Sequence, residues 1–142
     1  MPQDSLSRFR DAQKRDYETA LSEIRAGRKR SHWMWYIFPQ IRGLGFSPTA
    51  QYYAVADLEE ASAFLRDPYL GGNLREISAA LLALPIRDAH AVFGSPDDMK
   101  LRSCMTLFSH AEGADSVFRD VLQAYYEGRE DLKTLSILGL SS

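Results

Sequence analysis

Apolar residues recur at three- and four-residue steps over the first stretch of the chain: Leu6, Phe9, Ala12, Tyr17, Ala20, Leu21 and Ile24, with Arg, Asp, Lys and Glu between them. A helical repeat gathers these side chains into one stripe, so the segment predicts an amphipathic helix with a face it must bury. Asp4 is placed to cap that helix, because its carboxylate can accept a free N–H of the first turn. Gly27 ends it, since glycine enters the left-handed conformation without steric penalty. Downstream there is no alternating run, Asn-Gly hairpin or βαβ rhythm from which a sheet could be built. The partners for the stripe are therefore helices too.

Start and stop signals divide the remainder into short pieces. Ser47-Pro48 opens a helix, with serine as cap and proline in the first turn, where its missing N–H is harmless. Asp57-Leu58-Glu59-Glu60 has capping-box spacing, and Ala61, Phe64 and Leu65 follow at helical steps. Pro68 and the pair Gly71-Gly72 are expected to separate this helix from the next, which carries Leu74, Ile77, Leu81 and Leu84 and stops at Pro85. A single turn fits Ala89 to Phe93. Ser95-Pro96-Asp97-Asp98 combines cap, proline and two acids where the helix dipole is positive, and Leu101, Cys104, Met105 and Phe108 form the stripe behind it. Asp115 is the expected cap of a helix using Phe118, Val121, Leu122 and Tyr125 and closed by Gly128; Leu132, Leu135 and Leu138 suggest a last one. Periodicity leaves Trp33 to Phe38 open between strand and short buried helix, and the lack of a partner strand favours helix or irregular chain. The fold class is all-α: one compact domain of six to eight short helices over residues 1–142, with no linker and no internal repeat.

Composition narrows the function classes. The 142 residues are 45% hydrophobic and carry 17 Lys and Arg against 19 Asp and Glu, a net charge of -2. That apolar content with so small a charge excludes a disordered chain, and the missing basic excess speaks against a nucleic-acid coat. One cysteine excludes an internal disulfide framework. His32, His90 and His110 lie far apart with no second His or Cys three or four residues on, so no metal site is expected, and no cofactor motif is present. A charged N-terminus and the lack of an apolar run of membrane-spanning length give a cytoplasmic expectation.

The candidate site follows the first helix. Arg28, Lys29 and Arg30 place three cations beyond its end, and His32, Trp33, Trp35 and Gln40 come next. A guanidinium or ammonium can hold phosphate while an indole stacks on a base, the combination that an anionic, nucleotide-like small molecule requires. Lys100 and Ser103 share one helical face with Thr106 and are expected to look toward this segment. His32 is the obvious proton carrier in the group, because an imidazole titrates near neutrality. Each feature also has a plain structural use. The cations can offset the negative end of the first helix, the aromatics can fill the core, and the Lys100 row can be a solvated face. Cys104 falls on an apolar stripe and reads as a small buried hydrophobe rather than a nucleophile; no catalytic residue is assigned. The alternative from another class is a protein-interaction module that presents an aromatic surface patch.

Two segments are distinctive as motifs. One is Gly27-x-Lys29-x-Ser31-His32-Trp33-Met34-Trp35-Tyr36-x-Phe38-Pro39-Gln40 with Gly43-Leu44-Gly45. The other is Phe93-Gly94-x-x-x-Asp98-x-Lys100-Leu101-x-Ser103-x-Met105-Thr106-Leu107-Phe108. With Tyr53-Ala54-Val55, Glu60-Ala61 and Pro68-x-Leu70-Gly71 between them, the chain resembles the bacterial domain of unknown function 1810 family over nearly its whole length. The resemblance implies a mainly helical fold and supplies no catalytic residues, since the family has no established activity. Cys104 departs from it, the family more often having serine there. Members are sometimes labelled calpastatin-like, but calpastatins are disordered inhibitors, and the apolar content here is that of a packed domain.

Overall fold

A computed structural model describes residues 5–140. Nine helices are present among them: α1 (Ser7–Arg25), α2 (Met34–Ile37), α3 (Pro48–Tyr52), α4 (Leu58–Arg66), α5 (Pro68–Leu82), α6 (Ala89–Phe93), α7 (Asp97–Ser109), α8 (Val117–Tyr126) and α9 (Leu132–Leu138). No strand accompanies them; the sole β feature among the described residues is an isolated bridge between Ile41 and Val55. The all-α expectation therefore holds. The count exceeds six to eight because α2, α3 and α6 are single turns of four or five residues.

The stripe of α1 is buried as its spacing requires, with Phe9, Ala20 and Ile24 wholly inaccessible. It packs on α5 and α2. Gln13, also buried, joins all three: its amide donates to the Tyr36 carbonyl at 2.8 Å and accepts from Asn73 at 3.0 Å. Gly27 ends the helix at φ +83°, with its own N–H on the Ile24 carbonyl and the Arg28 N–H on the Glu23 carbonyl. That is the Schellman arrangement a C-terminal glycine permits. Asp4 lies outside the described residues, and the N-cap position is Leu6, which offers no side-chain acceptor.

α7 lies at the centre, against α4, α6, α8 and α9. Its stripe of Leu101, Cys104, Met105, Leu107 and Phe108 is fully buried and continuous with one core that includes Phe9, Trp33, Phe64 and Phe118. Three expected boundaries are corrected. Gly71-Gly72 sits inside α5 rather than before it, because Asp67 caps that helix through the N–H groups of Tyr69 and Leu70 and Pro68 occupies the first turn. Ser95 does not cap α7, which begins at Asp97 after Pro96. Asp115 does not cap α8 either; it pairs with Arg75 of α5 at 2.8 Å, and Ser116 holds the cap position.

Gly71 is required by packing. A Cβ there would come within 2.1 Å of the Leu65 carbonyl oxygen, because α4 turns into α5 across that point. Gly72 next to it faces open space.

Candidate functional site

The segment after α1 is locked by one carboxylate. Glu23 Oε1 accepts from the Arg30 N–H at 2.6 Å, the Ser31 N–H at 2.9 Å and the Trp33 indole N–H at 2.9 Å, and Oε2 accepts from Ser31 Oγ at 2.6 Å. Partial burial works against ionisation, but these four donors outweigh it and hold the carboxyl down at about 2. The two tryptophans then separate in use. Trp33 is 1% exposed, packs beside Phe38 and Phe93, and is a core residue with its indole N–H satisfied by Glu23. Trp35, two residues on, turns to the other side and is half-buried.

There it forms the floor of a hollow of about 420 Å³ between the segment 40–50 and α7. Among the sequence candidates, Trp35, Gln40, Lys100 and Ser103 line it together. Lys100 Nζ stands 5.2 Å from the Trp35 ring centroid and 3.1 Å from Asp97 Oδ1. Ser103 Oγ donates back to the Met99 carbonyl at 3.2 Å. Gln40 is positioned by its backbone, whose carbonyl accepts from Val55 N–H at 2.9 Å beside the Ile41–Val55 bridge. Neither the Gln40 amide nor the Trp35 indole N–H has a hydrogen-bond partner among the described residues. Both are directional polar groups at the base of a hollow, and such groups orient a ligand.

The remaining candidates lie elsewhere. Lys29 reaches the far side of the same Asp97, with Nζ 2.9 Å from Oδ2 and 5.3 Å from the Trp33 ring. Arg28 is exposed and lines a separate hollow with Lys29 and His90. His32 is exposed and absent from the lining of the Trp35 hollow, so it is not the proton carrier of that site. The Lys100 row is not a solvated face. Ser103 and Thr106 are buried, Thr106 Oγ1 donates to the Arg102 carbonyl and accepts from Asp131 N–H at 2.8 Å, and the chain leading into α9 covers this side.

That covering segment adds residues which periodicity had not singled out. Arg102 donates to the carbonyls of Arg129 at 2.9 Å and Glu130 at 2.8 Å, and this seats Asp131 and Lys133 on the rim of the hollow. One oxygen of Asp131 caps α9 through Thr134. Phe46, 76% exposed, and Met99, 48% exposed, also line the hollow. Glu23, Asp97 and Asp131 gave no sequence signal beyond polar or helix-start positions, since their roles depend on groups brought in from other helices. A broader hollow of about 750 Å³ beside α4 is lined by Asp57, Glu59, Glu60 and Glu112 together with Arg66, His110 and small or apolar residues, and by none of the sequence candidates.

The family model described as Protein of unknown function (DUF1810) matches residues 3–138. The chain belongs to this family. A solved structure similar to this chain is that of the conserved hypothetical protein Rv1873 from Mycobacterium tuberculosis: 46% identical, with 96% of this chain and 97% of that chain covered and a TM-score of 0.92. No curated protein sequence matches. For this DUF1810 protein the helical expectation is met, and no helix among the described residues is long and apolar enough to cross a membrane.

Proposed function

We propose that the hollow floored by Trp35 binds a phosphorylated, nucleotide-like small molecule. The observation that carries this reading is the pairing of two unpartnered polar groups, the Trp35 indole N–H and the Gln40 amide, with ammonium groups in one concave site. Its volume of about 420 Å³ falls in the range of roughly 300–1,000 Å³ typical of small-molecule sites. Lys100 and Lys133 are the cations for the anionic group. Trp35 and Phe46 are the flat surfaces for a planar one, and Gln40 can present both donor and acceptor to its edge. Asp97 holds Lys100 over the indole, so the site is arranged before a ligand arrives.

Thermal stability in the presence of adenosine monophosphate tests this. A ligand that binds only the folded state at about 100 times its Kd adds about 2.7 kcal/mol, a clear rise in Tm. That rise should vanish in Gln40→Leu and Lys100→Met while the ligand-free Tm barely moves. Full stabilisation retained in both variants would refute the assignment. A protein-interaction role is the second reading, supported by the exposure of Phe46 and Met99 around the same hollow. Phe46→Ala would then abolish partner capture, and adenosine monophosphate would leave the Tm of the unsubstituted protein where it is.

A further inference from the structure

We infer that the Arg28–Lys29 side of the chain is a second site, separate from the Trp35 hollow, which takes a phosphate-type oxyanion. Its hollow, of about 360 Å³, is lined by Arg28, Lys29 and His90 and by the chain from Ala91 to Gly94. The frame is fixed at both ends. The Arg28 N–H closes the last turn of α1 on Glu23, and the Lys29 N–H donates to the Val92 carbonyl at 2.7 Å, tying this strip to α6.

Charge in this region is not balanced. One carboxylate, Asp97, serves two ammonium groups, Lys29 through Oδ2 at 2.9 Å and Lys100 through Oδ1 at 3.1 Å. The other acid nearby, Asp98, lies 3.6 Å from His90 Nδ1. Three cations (Arg28, Lys29 and Lys100) stand in this region against two carboxylates, Asp97 and Asp98. The Arg28 guanidinium has no hydrogen-bond or ion-pair partner among the described residues. The Lys29 side chain is only 10% exposed, so a cation largely withdrawn from water shares half of its counter-ion. An anion held in this hollow lies along the side chain of that under-compensated cation and lowers the cost of its desolvation, and the free Arg28 guanidinium in the same lining matches two phosphate oxygens at once. Apart from the exposed His90 imidazole no open aromatic ring lines this hollow: Phe93 is buried, and beyond Arg28 and Lys29 the wall is backbone and small aliphatic side chains. The fit is therefore to the oxyanion itself, free or as the end of a phosphate ester, rather than to a nucleobase.

Amide chemical shifts of the full chain, titrated separately with inorganic phosphate and with methyl phosphate, test this. The expected result is saturable displacement at residues 28–30 and 90–94. Arg28→Gln should weaken it by about tenfold or more, the worth of one charge-assisted contact. Response to inorganic phosphate alone identifies a free-ion site; response to both probes identifies one that also admits esters. Arg28 is exposed, so loss of binding in Arg28→Gln with an unchanged Tm reports the site and not the fold. No displacement by either probe at millimolar concentration overturns the proposal. So does displacement confined to the Lys100 and Lys133 side that disappears in Lys100→Met and survives in Arg28→Gln.

Discussion

Removing the Glu23 carboxylate tests the local architecture most directly, because one side chain there satisfies four donors from the segment that leads to the candidate site. In Glu23→Ala the Trp33 indole N–H, 1% exposed on its residue, loses its acceptor at a cost of about 1–3 kcal/mol. The backbone donors of Arg30 and Ser31 are nearer water and add about 1 kcal/mol between them. A total near 3 kcal/mol corresponds to a fall in Tm of roughly 10 °C for a domain of this size. Glu23→Gln keeps an acceptor and loses only the charge. An unscreened shift from the usual 4.5 to about 2 would be worth about 3 kcal/mol. Solvent reaches this carboxylate, so about 1–2 kcal/mol is expected instead.

The sign of the pH effect follows from the direction of the shift. Because folding lowers this pKa, the stabilisation is complete above the unfolded value of 4.5 and is lost as pH falls toward about 2. Urea unfolding followed by far-UV circular dichroism should give a constant gap between wild type and Glu23→Gln near neutrality. The gap should close across that acid window. Equal stability of the two proteins at neutral pH, or a gap that persists unchanged through the acid limb, would refute the latch.

The paired glycines of α5 should respond with opposite signs. Gly71→Ala is expected to lose at least about 2 kcal/mol, since the new Cβ meets the Leu65 carbonyl, whereas Gly72→Ala gains roughly 0.5–1 kcal/mol from helix propensity alone; urea melts decide both. Trp33→Ala should cost about 3–5 kcal/mol by thermal unfolding and Trp35→Ala about half as much, equal losses being contrary to the different placement of the two rings. Cys104 should resist thiol reagents in the native protein and react fully in urea, because its residue is wholly buried and burial pushes the thiol pKa well up; rapid native labelling would contradict the packing of α7.

The helical class was legible because it rests on local physics. Stripes such as Leu6 to Ile24 and Leu101 to Phe108 and stops such as Gly27 and Gly128 act within a few residues of themselves. The same reasoning failed where a local signal was outvoted. Gly71 and Gly72 read as a break, but Asp67 and Pro68 start the helix before them, and the close crossing of α4 and α5 leaves no room for a side chain at Gly71.

The site divides in the same way. Sequence picked out the basic-aromatic segment, with Lys100 and Ser103 opposite it, and Trp35, Gln40, Lys100 and Ser103 do line one hollow. Which tryptophan joins the core and which faces the hollow depended on Glu23, one turn from the end of α1, reaching Trp33 and not Trp35. Whether Lys29 and Lys100 act together depended on Asp97 standing between them, and the far rim depended on Arg102 and Thr106 drawing the α9 approach across α7. Periodicity fixes which face of a helix is apolar; it carries no information about which polar groups from distant helices meet, because that is set by how the buried faces pack.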